Sequence, residues 1–291
     1  MSLVKKRQLR DITIGFFLLS HPGPVALHIL AVAILALLAA WPHIAWTTLG
    51  LVVAAHAAMQ LSIAVLNDYC DRHLDAASKK NKPIPRRLVT AREALIVGIL
   101  LSACMVFLLL FLPPLALVVS LLYWLLGLGY NLGLKSSPFS GIVFALAIPL
   151  IPVYAFAGMG HVSPLVFWLI PVTALLGIAL NLANSLPDIE ADADQRANTL
   201  AVKLGVRRAF LLCPSLIALS ALLIAGLTFG DIVPGRFWPI IATLGITCVL
   251  LITLMAAFGP AKPVATRKSY FYIVVLTCFV LAGGWLLGAI A

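Results

Sequence analysis

Asn67, Asp68, Asp71 and Asp75 close a long apolar run, in the stretch Asn67-Asp68-Tyr69-Cys70-Asp71-Arg72-His73-Leu74-Asp75. In a helix, positions i, i+4 and i+8 drift only slowly around the axis. Asn67, Asp71 and Asp75 therefore form one stripe, with Asp68 beside it. A second group, Asp188, Glu190, Asp192 and Asp194, repeats the i, i+4 relation in Asp188 and Asp192. The chain has only 10 Asp and Glu, and three of them stand in the first segment and four in the second. Carboxylates at the end of a lipid-soluble helix are costly unless they face water, a metal or each other, so they mark function by default. Crowded carboxylates also repel, and their pKa values rise until something cationic binds them. Oxygen-only ligands suit a hard divalent ion, and Mg²⁺ takes a few carboxylates, several waters and phosphate oxygens from a substrate. With Lys and Arg nearby, the two clusters describe a cradle for a diphosphate, and the apolar helices below describe a groove for a hydrocarbon tail.

Other chemistries fit poorly. An EF-hand counted from Asp188 puts Ala193 at the turn glycine and Thr199 at the bidentate glutamate. Zinc finds no Cys/His set with suitable spacing. Cys70, Cys104, Cys213, Cys248 and Cys278 are scattered, odd in number and read as small core residues. One acidic loop alone could be a solvated linker, but two at matched positions, continued by His56 and Gln60 and by Asn181 and Asn184 into the apolar runs, argue for a site. His56 itself reads as a hydrogen-bonded packing residue. The main rival is a membrane transporter for a cation or an anionic metabolite using the same acidic mouth. It requires polar residues along a continuous path, and the opposite ends of the spans offer few.

The elements that carry these residues are membrane helices. The chain has 291 residues, 63% of them hydrophobic and 10% charged. A bilayer core needs about 20 apolar residues in a helix, and only helices or closed barrels satisfy their backbone in lipid. Barrel alternation is absent. The expectation is an all-α polytopic membrane protein, nine helices in one bundle and one domain over 1–291, with spans near 24–41, 45–69, 91–112, 114–133, 139–158, 163–186, 207–229, 236–258 and 269–290. Residues 1–20, with Lys5, Lys6, Arg7 and Arg10, share the order of a signal peptide, but another apolar helix follows His21-Pro22-Gly23-Pro24 at once. They read as an interfacial helix.

Of the 20 Lys and Arg, all but Arg236 fall on one side of this topology. That is the positive-inside bias, and it explains the net charge of +10 without nucleic acid. It places the N-terminus and the site in the cytoplasm and the C-terminus outside, in a cell-membrane protein. The two long loops, about 70–90 and 187–206, share the cytoplasmic side and each begins with an acidic cluster; loops of that length inside a bundle usually bind or cover something. Four spans separate them, as in a duplicated four-helix unit whose site loops meet on one face.

The motifs resemble those of the UbiA superfamily of intramembrane prenyltransferases. The family's NDxxDxxxD is complete in Asn67, Asp68, Asp71 and Asp75, and its DxxxD after the sixth helix is matched by Asp188 and Asp192. Lys82-Pro83-Ile84-Pro85-Arg86-Arg87-Leu88-Val89 looks like the family's loop between the second and third helices. The resemblance covers nearly the whole chain. It implies Mg²⁺ as cofactor, held by Asn67, Asp71, Asp188 and Asp192, with Asp68 and Asp75 completing the cradle through water or as orienting partners. Tyr130 and Lys135 match the family's Tyr and Lys after the fourth helix, at YxxxxK where YxxxK is commoner. Lys82, which stands where an Arg is frequent, is expected at the diphosphate with Arg86, Arg87, Lys135 and Lys203. His21 replaces a common Arg before Pro22. The implied reaction breaks the allylic C–O bond of a prenyl diphosphate donor, shields the prenyl cation with apolar or aromatic walls and lets a small-molecule or lipid acceptor attack. Membrane lipids are the other expected partners. The acceptor stays open among aromatic acids, quinone precursors, glycerol phosphates, sugar phosphates, tetrapyrroles and carotenoid ends.

Overall fold

The computed structural model describes residues 7–194 and 196–290. Lys5 and Lys6 of the basic N-terminus, and Gln195 in the second acidic loop, lie outside the described residues. The helices in chain order are α1 (Leu9–Leu19), α2 (Pro22–Ala40), α3 (Trp46–Ser78), α4 (Ala91–Leu109), α5 (Pro114–Asn131), α6 (Ser140–Gly158), α7 (Pro164–Ser185), α8 (Ile189–Asp194), α9 (Leu200–Phe229), α10 (Phe237–Ala257) and α11 (Thr266–Ile290). Among the described residues nine of these helical stretches are long and apolar enough to cross a membrane, as hydropathy led us to expect.

Local signals set most of the boundaries. Pro114 and Pro164 start α5 and α7, where a missing N–H costs nothing. Thr90 and Glu93 form a capping box at the start of α4, and Thr199 accepts from Val202 N at 3.2 Å to open α9. The main correction to the expected spans is α3. With 33 residues it is about 50 Å long, well beyond the roughly 20 residues that a bilayer core requires. The expected loop from residue 70 is helical to Ser78, because a helix satisfies its own backbone in water as well as in lipid. The loop proper is 79–90. In the second loop, Leu186–Asp188 form a 3₁₀ turn followed by α8. Helix α9 opens with a short helical piece at Leu200 that breaks at Gly205 (φ 75°, ψ 160°), so the long apolar helix starts beyond it, close to the expected 207.

The chain divides into two compact units, one from residues up to Leu132 with Ala157–Gly160, the other from Gly133–Phe156 and His161 onward. In the first, α3 is the hub, packed on α2, α4 and α5. Its apolar interior contains one polar node, where Gln60 Nε2 donates to Tyr123 Oη at 3.0 Å and lies 3.2 Å from His56 Nε2. In the second, α7 packs on α9 and α11, and α10 on α11. A Cβ added at Gly177 of α7 would lie 2.5 Å from the Phe144 carbonyl oxygen of α6, so only glycine allows this approach. Asn181 is buried there and its Oδ1 accepts from Ser140 Oγ at 3.3 Å. Asn184, expected on the same inward stripe, is exposed.

Candidate active site

The first acidic segment is the polar end of α3, and its centre is Asp68. This side chain is buried, at 1% exposure, inside a ring of nitrogen atoms. Lys82 Nζ donates to Asp68 Oδ1 at 2.6 Å, and His21 Nε2 lies 2.9 Å from the same oxygen. Asn67 Nδ2 also reaches Oδ1, at 3.5 Å. Burying a carboxylate demands such pairing, so Asp68 fixes Lys82 in place as much as Lys82 stabilises Asp68. Asp75 is buried one helical stretch farther on, and Asn67 and Asp71 are half-buried. Arg72 turns back on its own helix, donating to the Tyr69 carbonyl at 2.7 Å with its guanidinium 4.3 Å from the Tyr69 ring centre.

Several elements hold Lys82 where it is. Residues 82–88 wind into a tight turn, with Arg86 N to Lys82 O at 3.0 Å, Arg87 N to Ile84 O at 2.9 Å and Leu88 N to Pro83 O at 3.0 Å. Arg87 takes a left-handed φ of 59° within it. Val89 then plugs into a small core with Leu19, Val65 and Ala94, lined by Phe16, Tyr69 and Ile84. α1 lies directly on this plug: a Cβ at Gly15 would stand 2.5 Å from Val89 Cγ2 and 3.0 Å from Leu88 Cβ. Arg7, just before α1, makes two charge-assisted bonds to Glu93, at 2.7 and 2.8 Å, and a longer one of 3.4 Å to the Leu88 carbonyl. The N-terminal segment is thus a strap over the loop, where the sequence suggested only a membrane-surface helix.

The second acidic segment is built differently. α7 ends at Ser185, the chain tightens through Leu186–Asp188, and α8 carries Glu190, Asp192 and Asp194. Asp188 and Asp194 are exposed and Asp192 is half-buried. Arg267 of α11 is buried and donates to Glu190 at 2.6 and 2.8 Å and to the Leu186 carbonyl at 2.9 Å. Asn198 N donates to Ser136 O at 3.0 Å, which ties the end of this loop to the 3₁₀ turn Leu134–Ser136 that carries Lys135.

Within the first unit the structure brings Asn67, Asp68 and Lys82 into contact and sets Asp71 and Asp75 on the same helix. Tyr130 is half-buried in the last turn of α5, whose end is pinned by Asn131 Nδ2 donating to Ile63 O at 2.9 Å. Arg86 and Arg87 are exposed on the loop, and Lys203 is exposed on the first turn of α9. His21, noticed in the sequence only as a replacement for a common Arg before Pro22, was not expected against the acidic stripe. Its left-handed backbone, φ 45° and ψ 60° at the start of α2, turns the imidazole onto Asp68; the only sequence signal is its place before Pro22. Arg7 and Arg267 were visible only as members of the positive bias.

These residues fit Mg²⁺. The donors are oxygens, and Asp68 Oδ2 is buried without a hydrogen-bond partner, while Lys82 beside it supplies a cation for a phosphate. Among the described residues no group of three or more His, Cys, Asp or Glu side chains converges as a ready-made metal cage. Mg²⁺ does not ask for one, since it keeps waters and takes substrate phosphate oxygens.

Comparison with known proteins agrees with this architecture. Residues 26–276 match the UbiA prenyltransferase family. The digeranylgeranylglyceryl phosphate synthase of Methanoregula boonei is 30% identical over 261 residues, covering 88% of this chain and 90% of that protein. The synthase of the same name from Pyrococcus abyssi is 32% identical over 145 residues, about half of each chain (50% and 52%). Among solved structures, a digeranylgeranylglyceryl phosphate synthase superposes with a TM-score of 0.72 at 19% identity, over 96% of this chain and 99% of that one. A UbiA homolog from Archaeoglobus fulgidus bound to DMAPP and Mg²⁺ superposes with a TM-score of 0.69 at 16% identity, over 92% and 99%. The structural likenesses establish the fold, and the sequence matches establish the lineage: this chain belongs to the UbiA prenyltransferase family.

Proposed function

We propose that this protein transfers a prenyl group from a prenyl diphosphate to a glyceryl phosphate acceptor that already carries a prenyl chain, releasing diphosphate, at the cytoplasmic face of the membrane. Family membership supports prenyl transfer. The acceptor class follows the Methanoregula boonei relative, whose name denotes a glyceryl phosphate with two geranylgeranyl groups. The observation that carries the reading is the complete acidic stripe of α3 with Lys82 seated on Asp68 at 2.6 Å. The sidedness of the cations supports an N-terminus in the cytoplasm and a C-terminus outside.

In this reading Asn67 and Asp71 from the first segment, and Asp188 and Asp192 from the second, are the Mg²⁺ ligands. When bound, Mg²⁺ neutralises the diphosphate leaving group and so favours breaking of the allylic C–O bond. Lys82, oriented by Asp68, binds a diphosphate oxygen, and Lys135, Lys203, Arg86 and Arg87 supply further positive charge around it. Asp75, buried on the same helix, completes the acidic cradle through water or as an orienting partner. Tyr130, half-buried in the last turn of α5, helps with Lys135 to bind or activate the diphosphate. Membrane-embedded helices leave the prenyl tails of donor and acceptor in an apolar phase while their heads reach the polar ends of α3 and α7.

The test is diphosphate release by the purified protein in lipid nanodiscs, with geranylgeranyl diphosphate and a panel of acceptors that includes geranylgeranylglyceryl phosphate and 4-hydroxybenzoate. Turnover with the glyceryl phosphate, lost in Asp71→Ala and Asp188→Ala, supports the reading. Full turnover in either variant would remove the metal assignment, and preference for the aromatic acid would remove the acceptor assignment.

A further inference from the structure

The chain contains only two glutamates, Glu93 and Glu190, and an arginine holds each in the same three-contact pattern. In both, one terminal nitrogen bonds one carboxylate oxygen and a backbone carbonyl, and the other nitrogen bonds the second carboxylate oxygen. The arginines come from far along the chain, 86 residues away for Arg7 and 77 for Arg267. Bidentate Arg–carboxylate pairs fix direction as well as distance. The carbonyls they take up belong to the two segments that lead into the candidate site, Leu88 in the 79–90 loop and Leu186 where α7 gives way to the 3₁₀ turn.

The Arg267 pair stands closest to a proposed ligand. Leu186 and Glu190 flank Asp188, two residues to either side. The carbonyl of Leu186 lies past the last regular turn of α7, where helical carbonyls need outside donors, and Arg267 supplies one at 2.9 Å. The Arg267 side chain is only 4% exposed whereas Glu190 is 54% exposed. The guanidinium is thus buried, and the more exposed acidic turn is fastened to it. Asp188 itself is exposed on that turn, between the two points that Arg267 holds.

We propose that Arg267, acting through Glu190 and the Leu186 carbonyl, is a positioning residue that sets the orientation of Asp188 for Mg²⁺–diphosphate binding. The proposal rests on the reading of Asp188 as a Mg²⁺ ligand. A simple staple between α11 and α7 would contribute stability alone and leave the metal requirement untouched.

The experiment uses the full chain in nanodiscs and compares the wild type with Glu190→Gln, Arg267→Lys, Arg267→Met and Asp188→Asn. Mg²⁺ is titrated in the presence of inorganic diphosphate, with the rise in melting temperature as the binding readout, and diphosphate release is followed over the same Mg²⁺ range. The expected result is a Mg²⁺ midpoint raised about tenfold in Glu190→Gln and further in Arg267→Met, the size seen when a ligand's outer partner is lost. Arg267→Lys, which keeps the charge but not the fork, falls between, and all three recover velocity at saturating Mg²⁺. Glu190 is half-exposed and tolerates glutamine, so a fold failure of Arg267→Met does not decide the matter. A wild-type midpoint in folded Glu190→Gln and Arg267→Lys, with Asp188→Asn shifted, overturns the positioning role and leaves the metal site standing. A wild-type midpoint in Asp188→Asn as well removes Asp188 from the site and the proposal with it.

Discussion

The two acidic segments, to which we assign similar roles, are built in opposite ways. The first lies on α3, an uninterrupted helix, and its central carboxylate, Asp68, is sunk out of water and matched at once by Lys82 and His21. The second lies on a broken helix, with Asp188 and Asp194 exposed and the order supplied from behind by Arg267. In the first, the functional side chains themselves form the structural contacts. In the second, Glu190 and a main-chain carbonyl take the bonds to Arg267, while Asp188 and Asp194 are exposed. Substitution should therefore couple stability and activity tightly at the first segment and separate them at the second.

The largest effect expected is loss of catalysis by at least about 100-fold in Asp71→Ala and in Asp188→Ala, the scale of removing a group that stabilises transition-state charge. If one segment dispensed with its aspartate and the other did not, the two would not be equal partners in the chemistry, and steady-state turnover decides this directly. Next comes Lys82→Met. It leaves Asp68 buried with only His21 and the longer Asn67 contact as partners, so about 3 kcal/mol of stability should go with it, alongside a raised KM for the donor. Thermal melts and KM measured on one preparation show whether the two losses travel together, as they should at this segment only. Lys82→Arg should restore most of both.

The third effect contrasts the braces. Arg267→Met removes a buried guanidinium together with its bond to the Leu186 carbonyl, so it should lower the melting temperature by several degrees. Arg7→Met breaks a pair whose side chains are 31% and 36% exposed; such pairs are screened and contribute little, and its melting temperature should stay near the wild type. Equal shifts would mean that exposure does not govern the two pairs. The smallest effect is expected for Gly15→Ala. The added methyl presses on Val89 and Leu88 and should slow turnover a few-fold through the Lys82 loop, with no change in Mg²⁺ dependence.

The pattern of chemistry was readable from residue types and spacing because it is local. Asn67 to Asp75 and Asp188 to Asp192 are short-range motifs, and hydropathy counts the spans because lipid leaves the backbone few options. The misplaced end of α3 shows the limit of that logic, since hydropathy reports where a helix leaves the lipid and not where it stops. The links that hold the sites were not readable. His21 meets Asp68 across 47 residues and Arg267 meets Leu186 across 81, and neither pair leaves a periodic trace. A hint existed in Glu190, the one glutamate in a cluster otherwise made of aspartates. Its extra methylene gives the reach that a bidentate partner needs.

The distance of Arg267 along the chain also has a meaning in time. Translation at about 5–20 residues per second separates Glu190 from Arg267 by roughly 4–15 s, counted over the 77 residues between them. Through that interval a nascent chain already displays both acidic motifs, while the turn bearing Asp188 lacks the hold of Arg267. A product stalled or truncated before α11 would carry both motifs without that brace.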